Sequence, residues 1–396
     1  MKEEKVSKKS MNKKVLITAI VVYALSAIGS FLLFSNILGR TMTGPVAQPK
    51  KTASGKLLFD PTLPKTEPCP LNGALYSKQQ KAWWEKHSPL GVMIENSVDA
   101  RPQSGLTSAD IVYEAIAEGG ITRFLAMYYC QDAEFVGPVR SARTYFLDMI
   151  SEYGPFPLYA HVGGANTPGP ANALGQIGDY GWVGVNDLNQ FSIGFPVYVR
   201  DYDRLGRTVA TEHTVYSSTT KLWDYAKKNR DITEKNEDGE KWDEDFTPYT
   251  FKDDSKSEAR PKSQTVSFDF WEGYSDFSVT YAYNPGTNTY NRTTGGKAHA
   301  DLNNKRQLSP KNVVVLFMRE SRANDGYEGN LHMLYGTKGT GNAKVFMDGE
   351  EIDATWSKKT RISHLSLKDK RGQDIEFNKG QIWFAIVSPD TDVVVK

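Results

Sequence analysis

A single uninterrupted apolar run constrains this chain more than any other feature. Residues 15–38 read VLITAIVVYALSAIGSFLLFSNIL, which is 24 residues without a charged side chain. As an α-helix, this run is about 36 Å long, enough to cross the hydrocarbon core of a bilayer with some tilt. Six lysines and two acidic residues precede it, and this positive charge predicts that residues 1–14 stay in the cytoplasm. The sequence therefore predicts one transmembrane helix over residues 15–38.

The alternative explanation of the run is a cleaved signal peptide. The apolar region of a signal peptide is ordinarily shorter, and neither an A-x-A cleavage site nor a lipid-accepting cysteine lies near residues 39–40. We therefore expect an uncleaved, single-pass protein of the cell membrane, with its N-terminus in the cytoplasm and its folded domains outside the cell.

The charge balance of the external part excludes one class of partner. Residues 1–40 hold seven of the 48 basic and two of the 47 acidic residues, which leaves 41 basic against 45 acidic residues, a net charge of −4. Such a chain has no overall positive field to hold nucleic acid. The full chain of 396 residues has 39% apolar and 24% charged residues, which is typical of folded domains and excludes a disordered chain and a multi-pass transporter.

The chain contains two cysteines, Cys69 and Cys130. An extracellular compartment permits a disulfide, but Cys69 lies in a proline-flanked turn and Cys130 ends an apolar strand pattern. We expect two unpaired, inert thiols, with a bridge between them as the alternative.

Composition divides the external part into four segments. Residues 39–75 hold six prolines among Lys, Thr and Gly, which predicts a semi-extended stalk. Residues 227–264 are charged and poor in periodic apolar residues, which is typical of a linker. The folded parts are then an α/β ligand-binding domain over residues 76–226 and a β-rich domain over residues 265–396.

The two folded parts differ in their patterns. In residues 76–226, strand-like runs flank a turn at Gly119 and Gly120, and a helix follows that Ser141 is placed to cap. Residues 265–396 contain short β-branched or aromatic runs such as VSFDFW, FSVTYAY and NVVVLFM. The predicted fold class is mixed α+β or α/β: an N-terminal α/β domain, then a β-rich C-terminal domain, preceded by one transmembrane helix.

The densest group of candidate binding residues is the segment GPVRSAR, which contains Arg140 and Arg143. It lies where a strand pattern ends and a helix pattern begins, and helix N-termini and guanidinium groups both bind phosphate or carboxylate. The alternative is that these arginines pair with acids such as Asp148, Glu114 or Glu118. Two more arginines, Arg123 and Arg101, lie in neighbouring turns, where all four cations can converge.

Two histidines are candidate general bases. His161 lies in the apolar run YAHVGG and His213 lies beside Glu212, so each is either a base or a core histidine with satisfied nitrogens. The sequence lacks the minimum motifs of P-loop, dinucleotide-binding, zinc-protease and serine-hydrolase sites. No metal site is therefore predicted, and the sequence leaves any cofactor unknown.

A family resemblance covers residues 85–218 and continues more weakly to the C-terminus. The blocks GVMIEN, RPQSGLTSADIVYE, EGGITRFLAMY, GPVRSAR and HVGG are similar to those of the YerB-like lipoproteins, which carry a domain of unknown function 3048. This resemblance implies an envelope protein with two family regions and leaves the activity open. The chain departs from the lipoprotein pattern because it lacks a lipobox cysteine.

A looser similarity suggests a chemistry. The order of ADIVYEA, a hairpin, GPVRSAR and HVGGA resembles that in the LytR–CpsA–Psr glycopolymer transferases, in which arginines hold a lipid pyrophosphate. By that resemblance Arg123, Arg140 and Arg143 neutralise a diphosphate, and Asp110 or Glu118 holds a divalent ion or orients a hydroxyl.

The expected function is binding of an anionic cell-wall ligand, a phosphate or a diphosphate-linked glycan, with or without glycopolymer transfer. The rival is a noncatalytic binding or assembly module of the envelope, in which the same arginines hold the fold or a partner protein.

Overall fold

The computed structural model of the protein describes residues 13–38, 47–52, 57–329 and 331–396. The chain divides into two compact units, Met1–Ala47 and Gln48–Lys396.

The described part of the first unit contains helix α1 (Lys13–Leu38), at the position of the charge-free run. The expected transmembrane helix is nevertheless wrong, because no helix in the described residues combines the length and the apolar character that a bilayer crossing demands. The predicted cytoplasmic tail, residues 1–14, lies outside the described residues except for Lys13 and Lys14.

The second unit carries the remaining helices and all the strands of the described residues. The helices are α2 (Lys78–Trp84), α3 (Thr144–Ile150), α4 (Ala173–Asp179), α5 (Gln190–Ile193) and α6 (Thr219–Asn229). The strands up to residue 252 are β1 (Lys50–Lys51), β2 (Leu57–Leu58), β3 (Lys65–Pro68), β4 (Leu75–Ser77), β5 (Leu90–Glu95), β6 (Ile111–Glu118), β7 (Ile121–Tyr128), β8 (Leu158–His161), β9 (Asp187–Asn189), β10 (Val199–Arg200), β11 (Val215–Tyr216) and β12 (Thr250–Lys252).

Thirteen further strands follow in the C-terminal part, where the described residues contain 3₁₀ turns and no α-helix. They are β13 (Thr265–Phe268), β14 (Val279–Asn284), β15 (Thr289–Thr294), β16 (Lys297–Ala298), β17 (Asn312–Phe317), β18 (Glu320–Arg322), β19 (Met333–Tyr335), β20 (Gly339–Met347), β21 (Glu350–Lys358), β22 (Ser366–Asp369), β23 (Glu376–Asn378), β24 (Ile382–Val387) and β25 (Val394–Val395). A large β-rich part therefore agrees with the sequence prediction.

A ten-stranded mixed sheet forms the centre of the second unit, in the order β22-β21-β20-β17-β24-β6-β7-β5-β8-β9. Its central strands are predominantly apolar because both of their faces are buried, as in β5, β6 and β24. β24 lies parallel to both β17 and β6, so strands from the two predicted domains share one sheet. The predicted domain boundaries at residues 226 and 264 remain a prediction, and the central sheet spans them.

The hairpin predicted around Gly119 and Gly120 is confirmed, since β6 and β7 pair antiparallel across this turn. Both glycines have positive φ values, 55° and 81°. Residues that carry a Cβ atom rarely adopt such values. At Gly120 a Cβ would also lie 2.2 Å from the Tyr274 ring. The turn therefore requires glycine at this position.

The two cysteines form a disulfide, so the expectation of unpaired thiols is wrong. The proline-flanked turn that carries Cys69 packs against the end of β7, and the two Cα atoms lie 6.0 Å apart, within bridging range. Cys69 and Leu71 are buried, so this part of the predicted stalk belongs to the folded unit. The sequence does not show this contact, because it joins residues that are 61 positions apart.

Candidate functional site

The carboxyl ends of three parallel strands gather at one edge of the central sheet, which we call the carboxyl edge. Glu95 ends β5, Glu118 ends β6 and His161 ends β8. Strand β7 runs the other way, and its register places Arg123 opposite Glu95. Ligands of open α/β sheets bind outside the carboxyl ends of the strands, so this edge is the candidate site.

Residues 137–143 cross the carboxyl edge as an extended segment between β5 and β8. The N–H of Arg140 donates to the Met93 carbonyl, and the N–H of Val162 donates to the Arg140 carbonyl, both at 3.0 Å. Helix α3 begins only at Thr144, with Arg143 as its N-cap residue. Ser141 therefore does not cap the helix as predicted, and the arginines are positioned by strand-like pairing.

Glu118 is shared by two buried guanidinium groups. Arg123 Nη2 lies 2.9 Å from Glu118 Oε1, and Arg143 Nη2 contacts Glu118 Oε2. Burial by itself would raise the pKa of Glu118, but the charges of Arg123 and Arg143 outweigh it and lower that pKa to about 2. Arg123 also donates to the Ser141 carbonyl at 3.0 Å. The Glu118 side chain, 22% exposed, is the part of this cluster that reaches solvent.

A second ion cluster lies at the adjoining strand end. Arg140 Nε lies 3.1 Å from Glu95 Oε2, and His213 Nδ1 lies 2.8 Å from the same oxygen. The hydrogen bond to Glu95 raises the pKa of His213, although burial opposes this. Glu95 is almost fully buried, whereas the Arg140 side chain is 22% exposed. Arg140 is therefore the cation of this cluster that solvent can reach.

Positive charge exceeds negative charge at the carboxyl edge. Three guanidinium groups, those of Arg123, Arg140 and Arg143, face the two carboxylates of Glu95 and Glu118. Among the described residues, the buried Nε atoms of all three arginines have no hydrogen-bond partner. Arg140 Nε is close enough to Glu95 Oε2 to form an ion pair, but its N–H is not oriented to donate a hydrogen bond to that oxygen. The edge thus retains one net positive charge and unused N–H donors.

The fourth arginine, Arg101, lies beside this group but is held differently. Its Nε and Nη2 donate to Asn96, and its Nη1 donates to the Asp276 carbonyl at 2.8 Å. The guanidinium also lies 5.0 Å from the centre of the Phe277 ring. Burial, with the nearby charge of Arg292, lowers the pKa of Arg101 to about 10. Its contacts make it a structural link between the residue after β5 and the 3₁₀ turn Ser275–Phe277.

His161 is held by acceptors on both of its ring nitrogens. Nε2 lies 2.6 Å from Asp187 Oδ1, and Nδ1 lies 2.6 Å from the Gly163 carbonyl. Both ring nitrogens are therefore occupied by contacts within the fold. The ring is fully buried, so no lone pair faces a substrate and the structure gives His161 a core role.

Asp110 lies at the opposite end of β6 from Glu118. The eight residues of β6 separate the two carboxylates by about 26 Å. Asp110 accepts hydrogen bonds from the backbone of Tyr129 and Cys130, at 2.7 and 2.9 Å, and from Asn72 at 2.9 Å. Burial outweighs these bonds and raises the pKa of Asp110 to about 7. Asp110 therefore cannot act together with the arginines.

Among the described residues, one group has the spacing of metal ligands: Cys69, Cys130 and Asp110. Both sulfurs are joined in the disulfide, so they offer no thiolate to a metal ion. This group does not fit a metal site.

A fully buried polar network was missed by the sequence analysis. Arg292 of β15 donates to both oxygens of Glu114 on β6, at 2.9 and 2.8 Å, and neither side chain is exposed. Trp383 donates to the same carboxylate at 3.0 Å. Arg292 also contacts His299 Nδ1, while His299 Nε2 lies 2.6 Å from Gln103 Oε1. The acidic residue inside the apolar run IVYEAIA was the available signal, since a buried charge needs a partner.

Known proteins are similar to this chain in sequence and in fold. The chain matches the profile described as "Protein of unknown function (DUF3048) N-terminal domain" over residues 74–233 and the corresponding C-terminal domain over residues 266–384. This protein belongs to the DUF3048 family. The resemblance to YerB-like proteins is thereby confirmed.

Two comparisons with one relative support this assignment. The DUF3048 chain is 29% identical over 306 residues to "Putative lipoprotein YerB" of Bacillus subtilis (strain 168), which covers 77% of this chain and 82% of YerB. The crystal structure of YerB from Bacillus subtilis matches with a TM-score of 0.65 and 23% identity over 83% of this chain and 100% of that chain. The two proteins therefore have the same fold.

Proposed function

We propose that this DUF3048 protein binds an anionic ligand of the cell envelope, a phosphate or a diphosphate-linked glycan, at the carboxyl edge. One observation carries the proposal: three guanidinium groups face two carboxylates, and their buried Nε atoms lack partners among the described residues. Buried donors without acceptors are costly. A phosphate group supplies the missing negative charge and can reach the Arg140 side chain, which is partly exposed.

Glu118 would compete with the ligand in this site. Its carboxylate occupies Arg123 and Arg143, and an incoming phosphate oxygen needs the same donors. Because Glu118 is partly exposed, its side chain can turn toward solvent when the anion binds. The affinity is then set by how much more strongly Arg123 and Arg143 pair with the ligand than with Glu118. Because Glu118 carries one negative charge, a ligand with more than one is favoured.

The same contacts favour binding over glycopolymer transfer. Glu118 has a pKa of about 2, so it is a weak base, while His161 is enclosed by acceptors and Asp110 lies at the far end of β6. Of the four predicted catalytic candidates, His213 alone combines a raised pKa with a place beside Arg140. A transferase with His213 as its base is therefore the second candidate function.

Two observations support a location outside the cytoplasm. A disulfide such as Cys69–Cys130 forms and persists in oxidising compartments. The relative YerB carries the name "Putative lipoprotein YerB", and a lipid chain attaches a lipoprotein to a membrane. Both agree with an envelope ligand.

Thermal unfolding of the full chain with pyrophosphate, with and without Mg²⁺, tests the proposal. A ligand that prefers the native state raises the midpoint. We expect pyrophosphate to raise the midpoint and added salt to reduce the gain. Arg140→Gln should lose most of the gain while folding normally, because His213 still pairs with Glu95. The control Arg371→Gln changes a side chain that is 78% exposed and should keep the gain.

Absence of a pyrophosphate shift in the wild-type chain would refute anion binding and leave the noncatalytic assembly role. A shift that Arg140→Gln retains in full would place the anion elsewhere on the protein. For the transferase alternative, His213→Asn should bind the anion but should not transfer the glycan of a lipid-diphosphate donor to an acceptor hydroxyl, so that no lipid diphosphate is released.

A further inference from the structure

Two cavities adjoin the carboxyl edge on the side away from β5. The smaller, about 270 Å³, lies between the start of α3 and β19 and is lined by Thr144, Tyr145 and Tyr335. The larger, about 1000 Å³, lies over the hairpin of β20 and β21. Arg319, Gly336 and Lys338 line both cavities. The two cavities therefore form one groove, which begins beside the residue that follows Arg143.

The strand register places this groove level with the arginine site. β17, β24 and β6 are parallel, with Phe317 opposite Val387 and Ala385 opposite Glu114. Continuing this register brings Arg319, two residues past β17, to the height of Glu118. Two strand spacings separate β17 from β6, which is about 10 Å. Arg319 thus extends the row of cations along the same edge.

The groove holds one cation without a carboxylate partner. Its two cavities are lined by Arg319, Lys338, Lys344 and Lys370 together with Asp148, Asp353 and Asp392, and Glu351, outside the lining, also contacts Lys344. Lys338 lies 2.5 Å from Asp148, and Lys344 and Lys370 lie 3.0 and 2.8 Å from Asp353. Arg319 is exposed, and no carboxylate of the described residues lies within 4 Å of its guanidinium. Arg319 is the cation best placed to take an external anion.

The floor of the groove is flat because Gly341 lies over a tryptophan. A Cβ at Gly341 would lie 2.5 Å from Trp356 Nε1, which itself donates to the Phe317 carbonyl at 2.9 Å. Trp356 is 2% exposed, and Phe317 is half-buried. The floor therefore offers backbone and polar groups, and it lacks the exposed aromatic faces on which bases stack.

We infer that this groove is a second anion subsite, and that the ligand is a linear polymer with repeated phosphate groups. The inference rests on the proposed function and names its substrate class. From β5, beside Arg140, to β17, which Arg319 follows, there are four strand spacings, about 19 Å. A single phosphate or pyrophosphate reaches one subsite, whereas a polymer reaches both. Linked contacts raise the affinity without any stronger single contact.

A chain-length series separates this inference from the proposed function. The probes are pyrophosphate and inorganic polyphosphate of long, defined length, titrated into the full chain by calorimetry. We expect the long probe to bind the wild type more tightly at equal phosphate concentration. Arg319→Gln should weaken the long probe about tenfold, the effect of one charge-assisted contact, and leave pyrophosphate unchanged. Lys359→Gln, another exposed cation, is the matched control.

Each outcome decides one question. If Arg319→Gln changes the affinity for neither probe while Arg140→Gln abolishes pyrophosphate binding, the groove is not an anion subsite and the arginine site stands. If pyrophosphate does not bind but the long probe binds in an Arg319-dependent way, the groove remains and the arginine site is refuted. If heparin, a linear polyanion with sulfate groups and no phosphate, binds as tightly as polyphosphate, the polymer class is wrong. If no probe binds, both sites are refuted.

Discussion

Replacing Glu118 by glutamine removes the carboxylate that two buried arginines share. The pKa of Glu118 falls from an ordinary value of 4.5 to about 2 in the folded protein. This difference corresponds to about 3 kcal/mol of stability, at about 1.4 kcal/mol for each tenfold change in the proton affinity. Because the folded pKa is lowered, that stability is complete above pH 4.5 and is lost as the pH falls toward 2. Glu118→Gln should therefore cost about 3 kcal/mol at pH 7.

The expected change in melting temperature follows from the size of the folded unit. At about 2.1 cal/mol/K per residue, the residues from Gln48 to Lys396 give an unfolding entropy of about 0.7 kcal/mol/K. A loss of about 3 kcal/mol then lowers the midpoint by about 4 °C. Thermal unfolding between pH 3 and pH 7 measures this effect. The wild type and the variant should approach each other as the pH falls below 4.5.

The same substitution should strengthen anion binding. Without Glu118, Arg123 and Arg143 lack their shared carboxylate, so pyrophosphate should raise the midpoint of the variant more than that of the wild type. Glu272→Gln, at an exposed position, is the control and should change neither quantity. A Glu118→Gln midpoint equal to that of the wild type at pH 7 would refute the ion-pair energetics. A smaller pyrophosphate shift in the variant would refute competition between Glu118 and the ligand.

Three further predictions concern the packing around the site. Glu114→Gln should cost about 3–5 kcal/mol in urea unfolding, because it leaves the charge of Arg292 buried without a partner; an unchanged urea midpoint would contradict this. Replacing both Cys69 and Cys130 by alanine opens a loop of 61 residues and should lower the free energy of unfolding by about 4 kcal/mol. Wild-type protein in reductant should lose the same amount of stability. Because burial raises the pKa of Asp110 to about 7, its contribution to stability is complete below pH 4 and is lost as the pH rises to 7. Asp110→Asn should flatten the dependence of the unfolding midpoint on pH over this range, and an unaltered slope would count against this assignment.

Local sequence patterns were sufficient for local structure. The Gly119–Gly120 turn between two apolar runs predicted the hairpin of β6 and β7, because the chain reverses where φ is positive and the strands pair on either side. The short β-branched runs after residue 265 predicted a β-rich part. The family blocks predicted membership of DUF3048. Hydropathy alone, however, predicted a transmembrane helix over residues 15–38 that the described residues do not support.

What the sequence by itself determined is therefore the β-rich character of the C-terminal part, the hairpin turn and the family, while the arginines as anion ligands stay a prediction. Tertiary structure decided their partners. Arg123 and Arg143 meet at Glu118 because β6, β7 and residues 137–143 converge on one edge, and Arg319 joins that edge because β17 and β24 lie beside β6. Cys69 meets Cys130 in the same way. Charge pairing and disulfide formation depend on distances of a few ångströms between residues far apart in the chain, and these distances are set by how the strands assemble.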